Sequence, residues 1–103
     1  MSKYLLHGTL KAKEDKQTEL AGNLLKASEL ISSAKGCQLY IVSLHKGDSS
    51  SVYITEIWDS KEDHDNSLQI DGVRELIMKA MPILDSTPQK GQELEILGGV
   101  GIS

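Results

Sequence analysis

The chain has 103 residues, of which 39% are hydrophobic and 25% charged, with a formal net charge of -4 at pH 7. These values belong to a globular domain with its own core, and the acidic balance with dispersed lysines excludes a basic face for nucleic acid. No apolar run is long enough to span a bilayer, "MSKYLLHGTL" lacks a signal-peptide core, and the single Cys37 has no partner for an internal disulfide. One cytoplasmic domain over residues 1–103 is the expectation.

In chain order, "KYLLHGTL" from Lys3 to Leu10 combines apolar and β-tolerant residues and predicts a first strand, ended by the polar "KAKEDKQ". Leu20, Leu24, Ala27 and Ile31 then recur at helical spacing, with Leu25, Leu30 and Ala34 widening the stripe, so a long amphipathic helix is expected to run to Gly36. Cys37 to His45 and "VYITEIW" flank the turn-rich "KGDSSS" and read as an antiparallel hairpin. Ser60 and Asp63 form a Ser-x-x-Asp capping box, which starts a helix at about Lys61 and leaves Gly72 to interrupt it. Val73, Leu76, Ile77, Ala80, Met81 and Leu84 fill the apolar slots of a further helical stripe, and Pro82 kinks or ends it. "QELEIL", residues 92–97, alternates as a last strand before a Gly-rich tail that reads as flexible or as an arm on a partner subunit.

The order strand, helix, strand, strand, helix, strand is the ferredoxin-like α+β pattern βαββαβ, with four antiparallel strands carrying the helices on one face. The other sheet face stays uncovered, and in either register it carries Leu, Ile, Val and Tyr. Two such sheets packed face to face as a homodimer would cover it.

The residues able to do chemistry gather at one strand-to-helix corner, "YITEIWDSKEDHDNSL" (53–68). Glu56 and Trp58 share a strand face while Ile57 points to the other. Trp58 alone reads as core packing. Under cover the Glu56 carboxylate needs a donor, so it is either tied to a neighbouring loop or subunit or used in catalysis. His64 follows the Ser60 cap and is either a solvated helix histidine among "KEDHD" or a base facing a cavity beneath the helix. His7, inside the first strand, reads as a satisfied core histidine, and His45 as loop surface. No metal is expected, because the three histidines lack paired ligand spacing and Cys37 has no partner. "GGVG" (98–101) has no following helix and no Lys-Ser/Thr pair, so it is no phosphate loop.

With these pieces in place, the chain resembles the antibiotic biosynthesis monooxygenase domain family of the dimeric α/β-barrel group. The likeness rests on the strand-then-helix opening, "KGCQLYIV", the corner with its Glu-x-Trp and Ser-Lys-Glu, and "VRELIMKAMPILDS". It implies a homodimer whose sheets form a shared barrel, and a cofactor-independent oxygenase of a small quinol-like or polyketide-like aromatic. Glu56 and Trp58 match the family's Glu and Trp. Relatives commonly carry a His nine residues after that Trp, where this chain has Ser67; His64 either replaces it or is surface. Haem degradation is disfavoured by the absence of a histidine in "VRELIMKAM". On this reading His64 removes a proton, the Trp58 indole and the Tyr40 or Tyr53 hydroxyl stabilise the oxyanion, and His7, Leu76, Met78 and Met81 contact the ligand. Two other functions fit the same scaffold: a dimeric module that binds a small ligand without turnover, and an isomerase or other small-molecule processing enzyme.

Overall fold

A computed structural model describes residues 3–88 and 91–102. The elements are β1 (Lys3–Lys11), α1 (Gln17–Ile31), β2 (Cys37–Ser43), β3 (Ser51–Trp58), α2 (Lys61–Ser67), α3 (Val73–Ala80), a 3-10 turn (Met81–Ile83) and β4 (Gln92–Ile96). The strands form one antiparallel sheet in the order β2-β3-β1-β4, the expected ferredoxin-like arrangement with β1 and β3 at its centre.

Register decides which side chains meet the helices. Tyr4 pairs with Trp58, Leu6 with Glu56 and Leu10 with Val52, so these residues share the helix-covered face. Leu5, paired with Ile57 and Leu94, shares the open face with His7, Thr55 and Tyr53. Ile41 and Leu94 are 46% and 49% exposed there, which leaves the apolar open face that the strand alternation implies.

Several boundaries differ from the expected ones. The α1 stripe stops at Ile31, because the chain then closes a tight turn (Ala34 N–H to Ile31 C=O, 2.8 Å). Gly36 does not cap the helix. At φ 82° it turns the chain into β2, and a side chain there would collide with the Asp63 carboxylate of α2. α3 ends at Ala80 rather than continuing to Leu84, since Pro82 sits in the first turn of the 3-10 segment. Leu84 instead bridges back to Ala12 beside β1.

The core is in two parts. Ala12, Leu20, Val52, Ala80, Ile83 and Leu84 form one cluster at the start of α1, and Ala27, Ile31, Trp58 and Val73 form another toward its end. Each fully buried aliphatic such as Leu20 or Val52 contributes roughly 1.5–3 kcal/mol. Between the clusters, under the break from α2 to α3, the packing is incomplete. Gly72, at φ 89°, makes that break and lies against Leu30 of α1. No helix among the described residues is long and apolar enough to cross a membrane.

Candidate active site

The gap between the two clusters is a cavity of about 220 Å³. Its walls come from α1 (Asn23, Leu24, Ala27, Ile31), the covered sheet face (Leu10, Tyr40, Glu56) and the α2–α3 segment (His64, Ser67, Val73, Leu76, among others). Among the described residues the lining is apolar apart from Asn23, Tyr40, Glu56, His64 and Ser67, and no Lys or Arg is among them. None of the described lining residues is a permanent cation that would neutralise a phosphate or carboxylate, so the cavity favours an uncharged molecule.

Glu56 sits on the cavity floor, 8% exposed, with its Oε1 accepting the Trp58 indole N–H at 3.0 Å. Two residues apart on one strand, the side chains lie side by side on the same face, which is how the Glu-x-Trp spacing produces the contact. Burial is the main influence on the Glu56 carboxyl and pushes its pKa up, while the indole hydrogen bond and nearby His64 pull it down. The net direction is upward, so Glu56 holds a proton to higher pH than an ordinary glutamate.

His64 is not a solvated helix histidine. Its side chain is 14% exposed and lies between two rings, 5.9 Å from Trp58 in an edge-on arrangement and 5.7 Å from Tyr4. The cause is the helix start: Ser60 Oγ accepts the Asp63 N–H at 3.1 Å, so α2 begins at Lys61 and its fourth residue turns back toward the sheet. His64 Nδ1 meets Asp65 Oδ1 at 3.0 Å. The Lys61 ammonium, and then His64 itself, hold Asp65 below the usual carboxylate range, so Asp65 accepts and Nδ1 carries the hydrogen. In the neutral imidazole Nε2 is then a proton acceptor, 3.8 Å from Glu56 Oε1. That separation is too long for a direct hydrogen bond, but one ligand oxygen can reach both atoms.

The remaining expected site residues divide. Tyr40, cross-strand partner of Glu56, lines the cavity, as do Leu76 and Met81. Burial first, and then the Glu56 charge, push the Tyr40 hydroxyl well above the ordinary tyrosine range, so it stays a neutral O–H donor. Trp58 is present but fully buried, and its N–H is committed to Glu56, so it cannot be the oxyanion donor expected of it. His7 and Tyr53 are on the open sheet face, stacked at 6.3 Å with His7 Nδ1 3.0 Å from Thr55 Oγ1. His7 is therefore not a core histidine, and neither residue reaches the cavity of its own chain. Met78 is 71% exposed on the outer side of α3.

Two polar residues of the cavity escape the sequence reading as site residues. Asn23 sits beside the α1 stripe and carries no motif, so nothing but helical phase marks it. Ser67 stands out only as a departure from the family pattern, yet it is 3% exposed and its Oγ donates to the His64 carbonyl at 2.6 Å. It occupies the cavity wall beside His64 rather than solvent. Among the described residues no group of three or more His, Cys, Asp or Glu side chains converges to hold a metal ion.

The family model for antibiotic biosynthesis monooxygenases matches residues 3–78. A candidate antibiotic biosynthesis monooxygenase from Chloroflexus aurantiacus superposes with a TM-score of 0.86 at 31% identity, covering 99% of this chain and 100% of the other. The chain belongs to the antibiotic biosynthesis monooxygenase family. More distant structures share the family fold. A candidate monooxygenase from Nitrosomonas europaea has a TM-score of 0.87 at 12% identity, over 96% of this chain and 94% of its own. One from Caulobacter crescentus has 0.84 at 16%, over 94% and 92%. No curated protein sequence matches this family member significantly.

Proposed function

We propose that this protein is a cofactor-independent monooxygenase acting on a small, uncharged, quinol-like aromatic, with the Glu56–His64 pair as proton acceptor. The observation that carries the reading is the pair itself: two titratable side chains at 3.8 Å in a largely apolar cavity that no Lys or Arg among the described residues lines. An electron-rich phenol reacts with dioxygen once deprotonated, so the protein must take the phenolic proton and hold the anion. His64 Nε2 accepts that proton, and the imidazolium so formed is balanced by Glu56 and by Asp65 on its other nitrogen. The Tyr40 hydroxyl is the donor available to the phenolate. One oxygen atom of dioxygen enters the ring carbon; the other leaves as water with the hydrogen lost there and the phenolic one, so a phenol ends as a quinone.

A dry cavity of about 150 Å³ accommodates benzene, so about 220 Å³ suits one substituted ring, or two, better than a multi-ring polyketide. The buried position of His64 and the tie of Glu56 to an indole rather than to backbone both favour turnover over passive binding. Oxygen-independent turnover of such a phenol would instead favour the isomerase reading.

We also infer that two copies pack through their open sheet faces. Leu5, Ile41 and Leu94 on that face support this pairing, which would bury the apolar surface and bring His7 and Tyr53 into the interface. Sedimentation of the purified protein tests it: a monomer at micromolar concentration would exclude the pairing.

A further inference from the structure

Of the five polar residues lining the cavity, three have their groups engaged within the protein: Ser67 Oγ with the His64 carbonyl, His64 Nδ1 with Asp65, and Glu56 Oε1 with the Trp58 indole. Among the described residues, the other two, Asn23 and Tyr40, make no side-chain hydrogen bond within the chain. No fully buried side-chain nitrogen or oxygen among those residues lacks a partner, so the Asn23 amide and Tyr40 hydroxyl are open to what enters the cavity. Asn23 is also out of place by packing logic. The other α1 residues on the cavity are Leu24, Ala27 and Ile31, and asparagine is a poorer helix former than leucine or alanine.

The two groups belong to different ends. Asn23 precedes Ala27 by one helical turn and Ile31 by two, about 6 and 12 Å along the axis. It therefore lies nearer the start of α1 than Ala27 and Ile31 do, whereas His64 lies against Trp58, which packs with Ala27 and Ile31 toward the helix end. Tyr40 stands beside Glu56, its partner across the strands. A phenol O–H at the Glu56 end donates to the acceptor pair and accepts from Tyr40. An amide at the far end offers two donors and an acceptor to a second oxygen.

We propose that Asn23 is a specificity-determining residue that anchors a second oxygen of the ligand, across the ring from the phenol held by Tyr40 and Glu56. The proposal rests on the cavity being the ligand site, as above. It makes the protein select aromatics with oxygens at opposite edges over those with one, because a ligand lacking the second oxygen leaves the amide unpaired on closing over it.

Calorimetric titration with two oxygen-stable probes of nearly equal shape, 4-hydroxyacetophenone and 4-ethylphenol, tests it without turnover. The wild-type protein is expected to prefer 4-hydroxyacetophenone by about fivefold or more. Asn23→Leu and Asn23→Ala should both abolish that preference, and Tyr40→Phe should weaken both probes while keeping it. An unchanged preference in either Asn23 variant, equal binding of the probes by wild type, or no binding of either would overturn the assignment. A protein that shows the Asn23-dependent preference but consumes no oxygen with any quinol keeps this assignment and loses the oxygenase reading. Oxygen consumption without that preference does the reverse.

Discussion

The Trp58 indole donates to Glu56 Oε1 at 3.0 Å with both side chains buried, so the Glu-x-Trp of β3 is a single unit in which the indole is directed at the carboxylate and does not itself line the cavity. Burial raises the Glu56 pKa, and the indole N–H is the first influence opposing it.

Trp58→Phe removes that opposing hydrogen bond while keeping an aromatic filler. The Glu56 pKa should rise further, moving the acidic limb of any activity profile to higher pH. Stability should fall by about 1.5–3 kcal/mol above the Glu56 pKa, where the carboxylate would be charged and without its indole donor. Chemical denaturation across pH measures this; a loss equal at acid and alkaline pH would mean that the indole acts by packing alone.

Glu56→Gln tests the same carboxyl from the other side. A carboxyl whose pKa is raised on folding binds its proton more tightly in the native than in the unfolded chain. Its contribution is fully present below the unfolded-state pKa and is lost as pH rises through the folded one. The glutamine variant, neutral at every pH, should therefore melt higher than wild type at pH 8, by roughly 4–8 °C per kcal/mol of relief, and lose this advantage below pH 4. A variant that melts lower at pH 8 contradicts the assigned direction.

Ser60→Ala removes the cap on α2 and should cost about 1 kcal/mol. Because the cap fixes where α2 starts, it also sets the aim of His64. Ligand affinity should drop in step with stability, and calorimetry against thermal melts would reveal any uncoupling.

A charge on the open sheet face tests the pairing of copies. Ile41→Asp leaves the covered core untouched, so the fold should persist by circular dichroism while the sedimenting mass halves. An unchanged mass would point to a different interface.

Much of this was legible from residues alone. Period-two alternation and the Ser60 cap yield the succession of strands and helices along the chain and the corner, and the Glu-x-Trp spacing predicts that Glu56 and Trp58 share a face. What alternation leaves open is which face the helices cover, and that one choice separates Tyr40 from Tyr53 and puts His7 on the side away from Glu56. The α1 and α3 ends moved because apolar spacing continues through Ala34 and Leu84, while the backbone there turns at Ile31 and Pro82 to return to the sheet. His64 was hidden by its charged neighbours. In "KEDHD" the spacing puts Lys61 and Asp65 outside as an ion pair at 3.0 Å and leaves the histidine between them facing in. Asn23 carried no signal beyond its phase on the helix.

The central claim is that Glu56 and His64 together take a proton from a small phenol that then reacts with oxygen. Oxygen uptake by metal-free protein against mono- and bicyclic hydroquinones, with Glu56→Gln and His64→Ala alongside, tests it most directly. The account predicts uptake above the autoxidation rate in the wild type, reduced about 100-fold or more in His64→Ala and clearly reduced in Glu56→Gln. Uptake equal to autoxidation across the series, or undiminished in both variants, would contradict it.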